Sequence, residues 1–172
     1  MDNQKFLKNW TPLEISTLEF EFTMRYYGFS AMPKDYGTGV EYSLAEAHGV
    51  TFIEEHPGVT VTEMADAFGR TKSALSQSVK QLEQKGLVYK LESKENKKKN
   101  HLFVTPKGRQ LSMAHKQYDI VHTMRFIKDL ENIFTEEELD CFFRIMKVRA
   151  DLMRDCREAP TGEQRGLENL WA

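Results

Sequence analysis

Apolar residues recur along this chain in two rhythms. Up to about residue 86, and again from 106, they return every three or four positions, the spacing of a helix face. Between 87 and 105 they fall in short runs suited to strands. Helix starts are marked by a repeated polar signature. TPLE (11–14) combines a capping Thr, a Pro at the first helical position and a Glu at the third. Behind it Ile15, Leu18, Phe22 and Tyr26 form one stripe, predicting a helix that stops near Gly28. SLAE (43–46) opens a second helix, closed by HPG (56–58). TVTE (60–63) opens a short third one ending at Gly69. Thr71 caps a fourth, with Leu75, Val79 and Leu82 spaced for burial and Gly86 as its stop.

LVYKLE (87–92) and HLFVT (101–105) then read as paired strands with a lysine-rich tip between them. TPKG restarts a helix at Pro106 that runs towards residue 130. TEEE (135–138) caps a last one, with Leu139, Phe142, Phe143, Met146 and Met153 on one side. The order predicts a mainly α fold with a small β-hairpin wing. Residues 60–86 form a helix-turn-helix. The chain reads as one domain, 1–172, with a winged helix-turn-helix module at 42–109. Helical segments at 11–29 and 106–157 flank it, and 158–172 is a loose tail.

Composition narrows the function. With 40% hydrophobic and 29% charged residues, the chain is expected to be a soluble, cytoplasmic globular protein without a membrane partner. Cys141 and Cys156 match no disulfide framework or zinc-finger spacing. No nucleophile stands beside a base and no glycine loop cradles phosphate, so neither an enzyme nor a cofactor is expected. The net charge of −2 conceals an asymmetry. Residues 70–109 hold eleven Lys and Arg against three Glu, a surplus of eight, while the remainder holds thirteen against twenty-three. A local field of that kind attracts polyanions.

The fourth helix turns Lys72, Ser73, Ser76, Gln77 and Lys80 away from its apolar stripe. Gln pairs bidentately with adenine, and Ser serves base edges or phosphates. Lys72 and Lys80, Arg70 in the turn and Thr71 at the helix start suit phosphates. Lys97, Lys98 and Lys99 at the wing tip suit the backbone likewise. The partner expected is double-stranded DNA.

Residues 42–109 resemble the multiple-antibiotic-resistance regulator (MarR) family of bacterial transcription factors. The resemblance is carried by HPGVTVTEMADAFGRTKSALSQSVKQLEQKGLV and, after the wing, by LFVTPKG. It implies a homodimeric winged-helix repressor or activator on a pseudo-palindromic operator, with 11–29 and 106–157 as its helical dimerisation body and DNA affinity modulated by a small aromatic or phenolic effector, an oxidant or a metal. The sequence departs from the family at the wing. Asn96 and Lys98 stand where many members pair an Asp with an Arg, which keeps attraction for phosphate but not the ion pair.

Family precedent places an effector between the first two helices and the winged module. The aromatics Phe22, Tyr26, Tyr27, Phe29, Tyr36 and Phe52 crowd that region, which also holds His48. Tyr26, Tyr27, His48 and Phe52 are the effector-binding candidates. Two alternatives stand beside this reading. One is a metal-responsive regulator. His115, Asp119 and His122 share one face of the post-wing helix, and His48 is able to approach it. The other is a winged-helix interaction module whose basic face docks an acidic protein.

Overall fold

The computed structural model describes residues 9–92 and 100–158, with side chains as far as Met153. Lys97, Lys98, Lys99 and Asn96 therefore lie outside the described residues, as does the segment from 159 onward. Two compact units divide the chain, one ending at Asp119 and the other starting at Ile120.

The first unit begins with α1 (Pro12–Ala31), followed by the short strands β1 (Lys34–Asp35) and β2 (Glu41–Tyr42). Next come α2 (Leu44–Glu55), α3 (Val61–Phe68) and α4 (Lys72–Gln84), then β3 (Val88–Glu92) and β4 (Asn100–Val104). α5 (Pro106–Glu131) runs from this unit into the second, which also contains α6 (Glu136–Glu158).

The capping signals act as the sequence implies. Thr11, Ser43 and Thr60 each accept a backbone N–H from the Glu three residues on, and that Glu accepts the cap's own N–H. Each reciprocal pair satisfies two donors a helix start would leave orphaned. Thr135 and Glu138 repeat the exchange before α6.

One expectation needs correction, and one segment gains a structure. The first helix does not stop near Gly28 but continues to Ala31. Its end is set by Pro33, which forces Met32 out of the helical region to φ −71°, ψ 123°. The segment after it, left unassigned by the apolar rhythm, forms the β1–β2 hairpin with register Lys34↔Tyr42 and Asp35↔Glu41. Its loop is organised by Asp35, whose Oδ1 accepts the N–H groups of Gly37, Thr38 and Gly39. Gly37 and Gly39 take positive φ there, a conformation that costs glycine little.

The core of the first unit joins Ala47, Val50 and Ile53 of α2 with Met64 of α3 and Leu75, Val79 and Leu82 of α4. Leu87, Leu102 and Leu111 complete it from the wing and α5. Helices α2 and α4 meet at Gly49, where a Cβ would lie 3.4 Å from Leu82 Cδ1 and 3.5 Å from Met64 Cε. The wing pairs Val88↔Val104 through Glu92↔Asn100. Strand β4 is also tied to the α2–α3 turn. Leu102 N–H donates to the Val59 carbonyl, Gly58 N–H to the Leu102 carbonyl, and His101 Nδ1 lies 2.6 Å from the Gly58 carbonyl.

In the second unit, the described side chains of α6 are almost all exposed, and only Leu139 is buried.

Candidate nucleic-acid interface

The interface is built on α3, a three-residue turn and α4. Gly69 closes α3 in the left-handed region at φ 58°, ψ 41°, and Arg70 follows it in the turn. Thr71 then caps α4 by accepting the Ala74 N–H. Burying Leu75, Val79 and Leu82 fixes the rotation of the helix about its axis. The opposite face is solvent-exposed: Lys72, Ser73, Ser76, Gln77 and Lys80, with Arg70 and Thr71 at its start. All seven predicted contact residues on this module thus lie on one accessible surface. Ser73 Oγ stands 3.2 Å from Thr71 Oγ1, so one of the two hydroxyls donates to the other at the helix start.

The structure also sorts six of the described cations of residues 70–109. Lys85 is engaged by Glu46 at 2.6 Å and Lys90 by Glu83 at 2.5 Å. Lys107 Nζ donates to the Lys85 carbonyl. These three brace the module. Arg70, Lys72 and Lys80 carry no ion pair among the described residues, so their field is uncompensated and points off the α4 face. Sequence reading counted all eleven alike, because ion pairs between α2 and α4 or between α4 and β3 leave no local signature.

The effector candidates are dispersed. Tyr26 and Tyr27 are exposed on α1, at 52% and 69% of their surface. Phe52 stacks on His56 and packs at 4.9 Å against Phe68. His48 lines a cavity of about 500 Å³ between α2, α3 and α4, with Met64, Phe68, Arg70 and Leu75 among its walls. Neither tyrosine nor Phe52 lines it.

His48 also meets α5. Its ring stands edge-on to His115 at 4.5 Å, and Asp119 Oδ1 lies 3.3 Å from His115 Nδ1. One ligand atom from each of His48, His115 and Asp119 falls within 4.8 Å of the other two. His122 is not in this group. It lies on α5 beyond the end of the first unit. Burial holds the His115 imidazole below its ordinary pKa, against the opposing pull of Asp119. Tyr36, which sequence reading grouped only with the aromatics, packs at 5.1 Å against both His115 and Tyr118. Its phenol is pushed up to about 12 by burial and then by the Asp119 charge.

A second α2–α5 contact is polar. Ser112, fully buried, donates to Glu54 Oε2 at 2.6 Å, and Lys116 reaches the same oxygen at 3.0 Å and Glu55 at 3.0 Å. The Ser112 hydrogen bond, followed by the Lys116 interactions, holds the Glu54 carboxyl below its ordinary pKa against the cost of burial.

Helix-turn-helix, following hairpin and braced α4 together define a winged helix-turn-helix fold. Residues 42–99 match the model of the MarR family. The HTH-type transcriptional regulator PetP of Rhodobacter capsulatus is 34% identical over 95 residues, covering 53% of this chain and 57% of PetP. The uncharacterised HTH-type transcriptional regulator YhjH of Bacillus subtilis is 26% identical over 105 residues, 61% of this chain and 59% of YhjH. The chain thus matches less than two thirds of the length of either relative. In fold, the chain is similar to Streptococcus pneumoniae FabT, solved in complex with DNA. That match has a TM-score of 0.63 at 19% identity and covers 83% of this chain and 99% of FabT. Among the described residues, no helix is long and apolar enough to cross a membrane.

Proposed function

We propose that this protein is a homodimeric transcriptional regulator, a repressor, that reads a pseudo-palindromic DNA operator with one α4 helix per half-site and responds to a small effector. The observation that carries the reading is the α4 face. Arg70, Lys72 and Lys80 are uncompensated there and frame Ser73, Ser76 and Gln77 on the second helix of a helix-turn-helix. Cations supply affinity for any duplex through counterion release, and Gln77 and the serines supply readout of base edges. Lys97, Lys98 and Lys99 add backbone contacts from the wing. FabT, a relative in fold, is known with DNA bound.

The dimer is supported by surface chemistry. Leu13, Phe20, Met24 and Tyr27 form one exposed stripe on α1, and Leu18, Phe22, Tyr26 and Phe29 form another on the opposite side. Phe142, Phe143, Ile145, Met146, Val148 and Leu152 are exposed on α6. Apolar patches of this extent are uncommon on soluble monomers.

The deciding experiment titrates the full chain against a random duplex and against fragments selected from the source genome, over a range of salt. Tight, salt-dependent binding to both, tighter to the selected fragments, is expected. Replacing Lys97, Lys98 and Lys99 by Ala should weaken all duplexes nearly alike and reduce the salt slope by about one unit for each phosphate no longer neutralised. A chain that binds no duplex at any salt would instead favour docking of an acidic protein on the same face.

A further inference from the structure

Past its cap, α4 ends in a tight reversal. Gly86 takes φ 69°, and the amides of Gly86 and Leu87 donate back to the Glu83 and Leu82 carbonyls. That leaves the carbonyls of Lys85, Gly86 and Leu87 beyond the reach of the helix's own amides. All three are taken up 18 to 22 positions further on, by the residues that open α5. Thr105 N–H donates to the Leu87 carbonyl at 3.0 Å. The Thr105 hydroxyl lies 2.7 Å from the Gly86 carbonyl and 3.2 Å from that of Leu87. Lys107 Nζ donates to the Lys85 carbonyl at 2.9 Å.

The same threonine starts α5, since its Oγ1 accepts the Gly108 N–H and its carbonyl accepts the Arg109 N–H. One residue therefore caps α5 and clasps the end of α4. Gly108 is buried against that clasp. A Cβ there would collide with the Leu87 carbonyl oxygen, a backbone atom that cannot swing aside. Lys107 belongs by charge to the basic segment, yet its ammonium is spent on the C-terminal, negative end of the α4 dipole.

α4 has 13 residues and is about 20 Å long, with Gln77 near its middle. A slip of about 1 Å at the clasped end therefore moves Gln77 by about 0.5 Å, the whole width of the usual N–H···O distance range. Phosphate contacts on flexible lysine stems absorb such a shift, and a bidentate pair with one base does not. We propose that Thr105, Lys107 and Gly108 are positioning residues for base readout. Their clasp on the last carbonyls of α4 sets the angle at which Gln77 meets a base edge, a role that rests on the DNA-binding reading. Lys107 is then a cation of the basic segment that neutralises no phosphate.

The test compares the full chain with Thr105→Val, Thr105→Ser, Lys107→Met and Gly108→Ala. Each is titrated over a range of salt against the genome-selected fragments and a random duplex. Val keeps the shape of Thr without the hydroxyl, and Ser keeps the hydroxyl. Thr105→Val, Lys107→Met and Gly108→Ala should each lower the ratio of selected to random affinity about threefold to tenfold, the scale of one hydrogen bond. Random-duplex affinity and the salt slope should stay at wild-type values, in Lys107→Met as well, although a charge is gone. Thr105→Ser should discriminate as the wild type does. A smaller salt slope in Lys107→Met, with equal losses on both duplexes, would make Lys107 a phosphate contact and overturn its assignment. A lower melting temperature with an unchanged ratio would reduce the clasp to a stabilising contact and overturn the proposal. Lys107→Met, at an exposed position, keeps the test decisive should Thr105→Val or Gly108→Ala fail to fold. A wild type with no preference for the selected fragments sinks the DNA-binding reading and this role with it. A wild type that discriminates, beside variants that discriminate equally, sinks this role alone.

Discussion

Among Lys72, Ser73, Ser76, Gln77 and Lys80, Gln77 alone carries an amide, whose separate donor and acceptor atoms can pair with one adenine, so discrimination among bases is assigned to it. Gln77→Ala should lower affinity for the operator by roughly 1–3 kcal/mol while barely changing affinity for a random duplex. It should also relax preference at one base pair per half-site. Lys80→Ala should lower both affinities together, because a phosphate contact carries no sequence information. Titrating one operator, its single-base variants and a random duplex at fixed salt separates the two. Equal losses for Gln77→Ala would make it a positioning residue. The face itself was legible from sequence, because the burial of Leu75, Val79 and Leu82 dictates which side of a helix is left for solvent. What sequence could not show is which lysines are free. Lys85 meets its partner across 39 positions, and nothing local to Lys85 announces Glu46.

Among the elements, α2 and α5 are joined at Glu54, which accepts from Ser112 and Lys116. A carboxyl held low in the folded state contributes stability that is fully present above its unfolded pKa and is lost as pH falls through its folded pKa. Glu54→Gln should therefore destabilise the chain by about 1–3 kcal/mol at neutral pH, the worth of hydrogen bonds to a charged group. The gap between mutant and wild type should narrow as acid titrates the wild-type carboxylate. Parallel urea unfolding of the two chains between neutral pH and the acid limit measures this; a gap constant with pH would mean the loss is one of packing. Capping boxes made the helix starts of these elements readable, since Thr or Ser and a Glu three residues on are both needed and both visible. The β1–β2 hairpin escaped because two-residue strands carry no apolar rhythm. Its signals were Asp35, Gly37 and Gly39, which organise a loop without revealing the strands beside it. Likewise the His48–His115 meeting was readable only as an approach, because their separation in the chain is bridged by packing and not by spacing.

For the whole molecule, the apolar surface of α1 and α6 predicts a dimer at micromolar concentration, burying upwards of ~2,000 Å² as obligate pairs do. Light scattering should report twice the chain mass of 20.0 kDa. A species of single-chain mass would remove the two-half-site arrangement, though not the binding of one α4 to DNA. The stitching of β4 to the α2–α3 turn bears on something else, the way the fold opens. A hairpin attached only through its own two strands frays on its own, and its amides exchange with solvent in local fluctuations. Here the amides of Leu102 and Gly58 are each bonded across the junction, so β4 cannot lift away without also loosening the turn that starts α3. The base of the wing and the helix-turn-helix therefore belong to one cooperative unit. Hydrogen exchange at Leu102 reports the opening of that whole unit and not the breathing of a loop.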